Sequence, residues 1–351
     1  MGSKNISQRK RKKNYKLRNF IFYLVFILVF TGVSAPLIIF HGPFTNVKKT
    51  IVDAAMTTLS HQWIAKLFLS DAEIQKIRDE DTVQVMQQGN NIKFSNSHDN
   101  SIERYNISSG IKFKGYLLII KDPTRVKVGY SNKLGTQGEL TSQIAQDNGS
   151  IAAVNAGGFS DSSSTNTKWT GTGGKPTGII MSNGNIKFND ITDPDKKVDI
   201  TAITSKAQLL VGLHSLNELK TLGVTEAVSF GPALVVDGQG MIKSGDGGQG
   251  IAPRTAIGQR ADGAILLLVI DGRTTKSLGA SLKDVQNVML EYGASNASNL
   301  DGGSSTTMYN NGSVINNPCN ALGERAVPSA IIVNPRSEER RVGKECSQGV
   351  D

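Results

Sequence analysis

The sequence predicts an α+β protein built of mixed, largely antiparallel sheets packed with helices. Three observations predict it. The 351 residues include 37 glycines with no collagen-like period, too many for a mainly helical chain and suited to many tight turns. Short apolar runs recur between Asn-Gly, Asp-Gly and Asp-Pro pairs, the pattern of strands joined by turns. Only a few stretches show the i, i+3, i+4 apolar spacing of an amphipathic helix. An apolar share of 38% is adequate for a globular core.

The N-terminal region comes first. Residues 1–18 form a basic tail with Lys4, Arg9, Lys10, Arg11, Lys12, Lys13, Lys16 and Arg18 and no acid. Removing these eight from the 39 basic residues leaves 31 against 30 acids, so the formal charge of +9 belongs to the tail. The body therefore offers no electrostatic case for nucleic acid as a partner. Residues 19–40 read as a transmembrane anchor, since Phe20 to Phe40 has no charged residue over 21 positions. Basic residues precede this run and none follows immediately. That orients the N-terminus to the cytoplasm and the body outside, as in a single-pass cell-membrane protein. A cleaved signal peptide, with Val33 and Ala35 as its small residues, is the alternative and also exports the body.

Residues 41–110 read as a helical juxtamembrane region followed by a polar linker from 81. Ser70 and Glu73 have the spacing of a capping box, so a helix is expected from Asp71. The folded domain is expected over 111–335, with a charged tail at 336–351. "GYLLIIKDPTRVKVGYS" reads as a hairpin turning at Asp122-Pro123, and "TQGELTSQIAQDNG" as a helix ended by Gly149. "IAAVNAGGF" reads as a buried strand entering a glycine turn. "TGIIMSNGNIKF" reads as a hairpin on a type I′ Asn183-Gly184 turn. "EAVSFGPALVVDGQGMI" and "APRTAIGQRADGAILLLVIDGR" supply further strands, with Asp237 and Asp262 as turn residues. Residues 281–292 are the clearest helix, capped by Ser281 and Asp284, with Leu282, Val285, Val288, Met289 and Tyr292 on one face. "TTMYNNGSVIN" is a second hairpin and "PSAIIVNP" the last strand.

"IAQDNGSIAAVNAGGF" and "MLEYGASNASNLDGGSS" share an order of helix end, glycine, apolar strand, and Asn or Asp before Gly-Gly. A pseudo-duplicated core whose two glycine turns meet at one cleft is one account of that echo. Cys319 and Cys346 are the only cysteines. They permit one disulfide or two free thiols.

Strand ends followed by glycine are rigid places to hold a functional group, because glycine lets backbone N–H groups face a ligand. Asp271 ends "AILLLVI" before Gly272. Asp301 ends "ASNL" before Gly302-Gly303-Ser304-Ser305, and Asn155 precedes Gly157 and Gly158. Arg254, Arg273 and Arg325 lie close to these motifs and can bind phosphate through paired hydrogen bonds. The combination suits an anion. No G-x-S-x-G elbow, P-loop, H-E-x-x-H or metal-binding cysteine spacing is present. Of His41, His61, His98 and His214, only His214 falls in the body, which leaves a serine–histidine–acid machine without support. Neither a cofactor nor a metal site is expected.

The motifs "AAVNAGGF", "PTGIIMSNG", "GPALVVDG", "PRTAIG", "VIDGR" and "NLDGGSS", taken in order, resemble the phosphodiester glycosidase family over residues 110–335. The anchored N-terminal region looks like that of its bacterial membrane-tethered members. The resemblance implies hydrolysis of a sugar joined through its anomeric carbon to a phosphodiester, in a cell-surface or exopolysaccharide glycan, releasing a phosphate monoester. The residue chemistry fits that implication, with Asp301 first and Asp271 second as the catalytic carboxylate that activates water or stabilises the positive charge developing on the sugar. Asn155, Gly157, Gly158, Arg254, Arg273, Gly302, Gly303, Ser304, Ser305 and Arg325 become substrate-binding residues. Ser304 stands where the family motif usually has a third glycine, and Ala156 interrupts the usual Asn-Gly-Gly. Both departures bear on substrate identity more than on fold. Two other readings stand beside it: a non-catalytic phosphoglycan-binding or assembly factor, and a divalent-metal phosphodiesterase drawing on Asp271, Asp301 and nearby acids, for which no close cluster of acids or histidines is evident.

Overall fold

A computed structural model describes residues 15–56, 61–79, 83–89, 99, 101–160, 172–320 and 322–335. Strands and helices are numbered in chain order. Four helices precede the sheets: α1 (Tyr15–His41), α2 (Thr45–Met56), α3 (Gln62–Lys66) and α4 (Asp71–Asp79). Within α1 the stretch Arg18–His41 is long and apolar enough to cross a membrane, judged by length and composition. The capping box of α4 is formed: Ser70 N–H donates to Glu73 Oε2 at 2.8 Å, and Glu73 N–H to Ser70 Oγ at 3.3 Å. Phe40, Val52, Ala55, Ala65, Leu69 and Ile74 give these helices a small core of their own.

Three antiparallel sheets build the body. The first runs β1 (Ile102–Ser108), β2 (Lys114–Ile120), β16 (Ile265–Ile270), β15 (Arg254–Arg260), β17 (Ala294–Leu300), β13 (Ala233–Val236) and β14 (Gln239–Gly240). The second runs β19 (Ser313–Val314), β18 (Met308–Asn310), β5 (Ala152–Asn155), β21 (Ser329–Val333) and β3 (Val126–Tyr130). The third runs β11 (Leu209–His214), β10 (Val198–Thr204), β12 (Val224–Ser229), β8 (Ile179–Ser182) and β9 (Asn185–Asn189). Two short pairs complete the set: β4 (Glu139–Leu140) with β20 (Ala326–Val327), and β6 (Phe159–Ser160) with β7 (Lys175–Pro176).

Side chains from all three sheets meet in one central core, among them Leu118, Val128, Val154, Ile180, Leu209 and Leu267. Helix α7 (Leu282–Glu291) covers the outer face of the first sheet through Leu282, Val285 and Met289. Helices α5 (Thr141–Asp147) and α6 (Leu216–Thr221) cover the second and third sheets. A strand with cover on both faces favours a continuous apolar run over an alternating one. That is why "ILLLVI" of β16 is buried throughout, without alternation.

Both Asn-Gly hairpins form as expected, β8–β9 on Asn183-Gly184 and β18–β19 on Asn311-Gly312, with all four turn residues at positive φ. The α7 capping box also forms. Ser281 Oγ accepts from Asp284 N–H at 3.1 Å, and Ser281 N–H donates to Asp284 Oδ2 at 2.9 Å. Ser281→Ala is expected to cost about 1 kcal/mol of folding stability, read by urea unfolding. An unchanged midpoint would show that the cap contributes nothing.

Two expectations are corrected. Residues 115–131 are not a hairpin, because β2 pairs with β1 and β16 whereas β3 pairs with β21 of the second sheet. Asp122 caps a short 3₁₀ turn, Pro123–Arg125, accepting from Thr124 N–H at 3.0 Å, and the chain changes sheets there. Asp-Pro marked the bend but not its destination. The polar stretch from 81 to 110 also contributes to the body. Residues 102–108 form β1, an edge strand whose half-exposed pattern hid it. Gln88 hydrogen-bonds β11 at Leu209 O (2.8 Å) and Val211 N–H (3.1 Å).

Candidate active site

Three strand ends converge at one edge of the central core. β16 and β17 both run antiparallel to β15, so Asp271 and Asp301 emerge at the same end of the first sheet, on either side of Pro253. Two strand spacings put their backbones about 10 Å apart. Glycine follows each acid for a steric reason. A Cβ on Gly302 would lie 2.8 Å from Pro253 O, and one on Gly272 would lie 2.7 Å from Pro253 N.

β5 of the second sheet brings Asn155 to the same place, fully buried. Its Nδ2 donates to Asp301 C=O at 2.5 Å, and its Oδ1 accepts from Thr255 Oγ1 at 2.7 Å and Thr307 N–H at 3.1 Å. Asp301 N–H donates back to Ala156 C=O at 2.9 Å. The two echoing segments therefore meet at their glycine turns. Gly157 and Gly158 use their amides inside the protein, on Ser329 Oγ (3.1 Å) and Ser229 O (3.2 Å). They let the chain pass close to β12, since a Cβ on Gly157 would stand 3.3 Å from Val228 Cβ.

Past Asp301, which is half-buried, the chain makes a 3₁₀ turn, Gly303–Ser305, with Gly303 at φ +62°. Gly303 N–H donates to Pro253 O, Ser305 N–H to Gly302 O and Thr306 N–H to Gly303 O. The N–H groups of Gly302 and Ser304 have no acceptor among the described residues. Ser305 is buried below the turn. Arg325 Nη1 donates to Ser304 Oγ at 3.0 Å, and its guanidinium lies 4.8 Å from the centre of the Phe159 ring. Arg273 is exposed, and its guanidinium nitrogens stand 3.6–3.7 Å from where a Cβ of Gly303 would be. That guanidinium makes no hydrogen bond or ion pair among the described residues. Two arginines thus flank two open amides.

Arg254 points the other way. It is 5% exposed, and four of its five N–H groups donate to Ala280 O, Gln249 Oε1, Gln249 O and Gly250 O. Burial pushes its pKa down to about 10. It holds the "SGDGGQG" loop with its donors, and the structure does not bring it to the open turn. Asp271 is half-buried, and Oδ1 accepts from Asn316 Nδ2 (3.1 Å) and Asn317 N–H (2.9 Å). Its other carboxylate oxygen has no partner among the described residues. Burial pushes this carboxyl above the ordinary carboxylate range, against the opposing pull of the two hydrogen bonds. Asn316 Nδ2 also donates to Thr306 O at 3.1 Å, which links Asp271 to the end of the turn.

Sequence reasoning passed over Asn316, Asn317, Thr255 and Phe159. Asn-Asn-Pro after a hairpin was the one available sign of the first two. His214 lies half-buried at the end of β11 near α6, where desolvation lowers its pKa. Cys319 donates to Gly303 O at 3.5 Å, whereas Cys346 and any bond between them lie outside the described residues. Among the described residues no group of three or more His, Cys, Asp or Glu side chains is placed to hold a metal ion.

Residues 148–334 match the phosphodiester glycosidase family, and the chain belongs to it. The catalytic domain of zebrafish N-acetylglucosamine-1-phosphodiester alpha-N-acetylglucosaminidase has the same fold. The likeness covers 74% of this chain and 92% of that one, at 23% identity and a TM-score of 0.58. An 82-residue segment, 23% of this chain, is 39% identical to the SPbeta prophage-derived uncharacterized protein YomE of Bacillus subtilis, and it spans 13% of that relative's length.

Proposed function

We propose that the chain hydrolyses a sugar-1-phosphodiester in a cell-surface or exopolysaccharide glycan, breaking the bond between the anomeric carbon and the phosphate oxygen. The reading rests on the turn after Asp301, where the N–H groups of Gly302 and Ser304, without an acceptor among the described residues, lie between Arg273 and Arg325. Phosphate oxygens fit such a cradle, which stabilises the charge that grows on the departing phosphate. Asp301, at the start of the turn, steadies the positive charge developing on the sugar. Asp271, with one carboxylate oxygen that has no partner among the described residues, takes a proton from the attacking water. Asn155 holds Asp301 in place from below.

The test is incubation of the purified chain with a panel of sugar-1-phosphodiesters. Equal amounts of free sugar and phosphate monoester are expected. Binding without release across the panel would instead favour a non-catalytic phosphoglycan-binding protein.

The role given to Asp271 requires its ionised form. Turnover should therefore fall as pH drops through its raised pKa, and the acid limb should lie above the free-carboxylate value. A limb at or below the free-carboxylate value would remove Asp271 from that role. The same shift favours the folded state at low pH. A carboxyl whose folded pKa exceeds its unfolded value contributes stability that is lost as pH rises through the folded pKa.

The tail 1–18 and the span 19–40 are read as a cytoplasmic segment and an uncleaved anchor, with the catalytic body outside. Protease added to intact cells should then digest the body and spare the tail.

A further inference from the structure

A cleft of about 600 Å³ opens beside Asp271, between the edge strand β1, the start of β2 and the loop 271–277. Its lining includes Asn106, Lys114, Tyr116, Lys276 and Asn317. The backbone beneath Lys114 is stitched to the loop. Lys114 N–H donates to Ser277 Oγ at 3.0 Å, Ser277 Oγ donates to Asp271 C=O at 2.6 Å, and Asp271 N–H donates to Lys114 O at 2.8 Å. Thr274 and Ser277 close the loop on each other, which sets Lys276 near its exposed tip.

The charges around this cleft are not balanced. The lysines just before and just after β2 are paired, Lys112 with Asp284 at 2.7 Å and Lys121 with Glu103 at 2.9 Å. Lys114 and Lys276 are exposed and have no ion pair or side-chain hydrogen bond among the described residues. Arg104 adds a third cation, 5.8 Å from the centre of the Tyr116 ring. Asp271 is the one acid among the described lining residues, and its Oδ1 is taken up by Asn316 and Asn317. Arg273 projects from the same loop over Gly303, so cations face both sides of the loop.

We infer that this cleft is a second anion subsite. Its ligand is a further phosphate or carboxylate on the group that leaves with the scissile phosphate. The substrate class is then a polyanionic glycan chain rather than a single sugar ester. This inference rests on the hydrolytic reading of the Asp301 turn for its placement in a substrate.

The test uses the full chain in detergent and two synthetic substrates with the same sugar-1-phosphate. In one the second group is an uncharged alkyl chain, and in the other it carries an additional phosphate. The wild type should prefer the charged substrate in kcat/KM. In K114Q/K276Q that preference should shrink about five- to tenfold, the scale of two exposed charge contacts. A preference that is absent in the wild type, or unchanged in the variant, overturns the subsite. A fluorescent phosphate chain without the sugar, followed by anisotropy, separates the two readings. Lysine-dependent binding with neither substrate turned over would leave the subsite standing and remove the hydrolase. Turnover without charge preference would do the reverse.

Discussion

Asp301→Asn should lower kcat/KM on a sugar-1-phosphodiester by about a hundred- to ten-thousand-fold, the usual range for removing a group that acts in the transition state. The substitution is nearly isosteric. It leaves the backbone bonds of Asp301 to Asn155 and Ala156 in place, so the melting temperature should stay close to wild type. Measuring both is essential to the result. A drop in rate with an intact melt assigns chemistry to the carboxylate. Full activity in Asp301→Asn would end the catalytic reading of the turn, whatever the fold. Loss of both together would show only that the turn had collapsed.

Asn155→Ala should have the largest effect on stability, about 2–4 kcal/mol by denaturant unfolding. The side chain is fully buried and bonds three partners from three segments: Asp301 O, Thr255 Oγ1 and Thr307 N–H. Removing it leaves two donors, Thr255 Oγ1–H and Thr307 N–H, and one acceptor, Asp301 O, without the amide in a buried place. Activity should fall as well, because Asp301 loses its support. A loss below ~0.5 kcal/mol would mean that water or repacking restores those bonds, and the account of Asn155 as the tie would be wrong.

The sequence made different parts of this legible to different degrees. Local devices read well. Ser281–Asp284 and Ser70–Glu73 announce caps by spacing, and Asn183-Gly184 and Asn311-Gly312 announce hairpins because few other residues tolerate those dihedrals. Sheet partners did not read. β2 and β3 are adjacent in sequence, but long-range pairing sends them to different sheets, and no local signal encodes that choice. β1 was hidden because an edge strand needs only one apolar face. At the site, glycine after acid pointed to Asp271 and Asp301, and steric contact with Pro253 explains both. Arg254 shows the limit of such reading. A proline-flanked arginine at a strand start looks the same in sequence whether its guanidinium faces a ligand or, as here, four protein oxygens. Asn155 belongs to the same lesson, since an amide before Gly-Gly does not reveal whether it is open or enclosed.

The bond from Asn155 to Asp301 spans 146 positions of chain and joins two different sheets. The cradle at Asp301 is therefore incomplete in any intermediate in which only one sheet has formed. Contacts this distant in sequence close late and slowly, because the chain between them must be ordered first. Hydrolytic competence would then appear as the last event of maturation. A partly folded copy would lack the complete turn at Asp301. Recovery of activity during refolding should lag behind the return of the β-sheet circular dichroism signal.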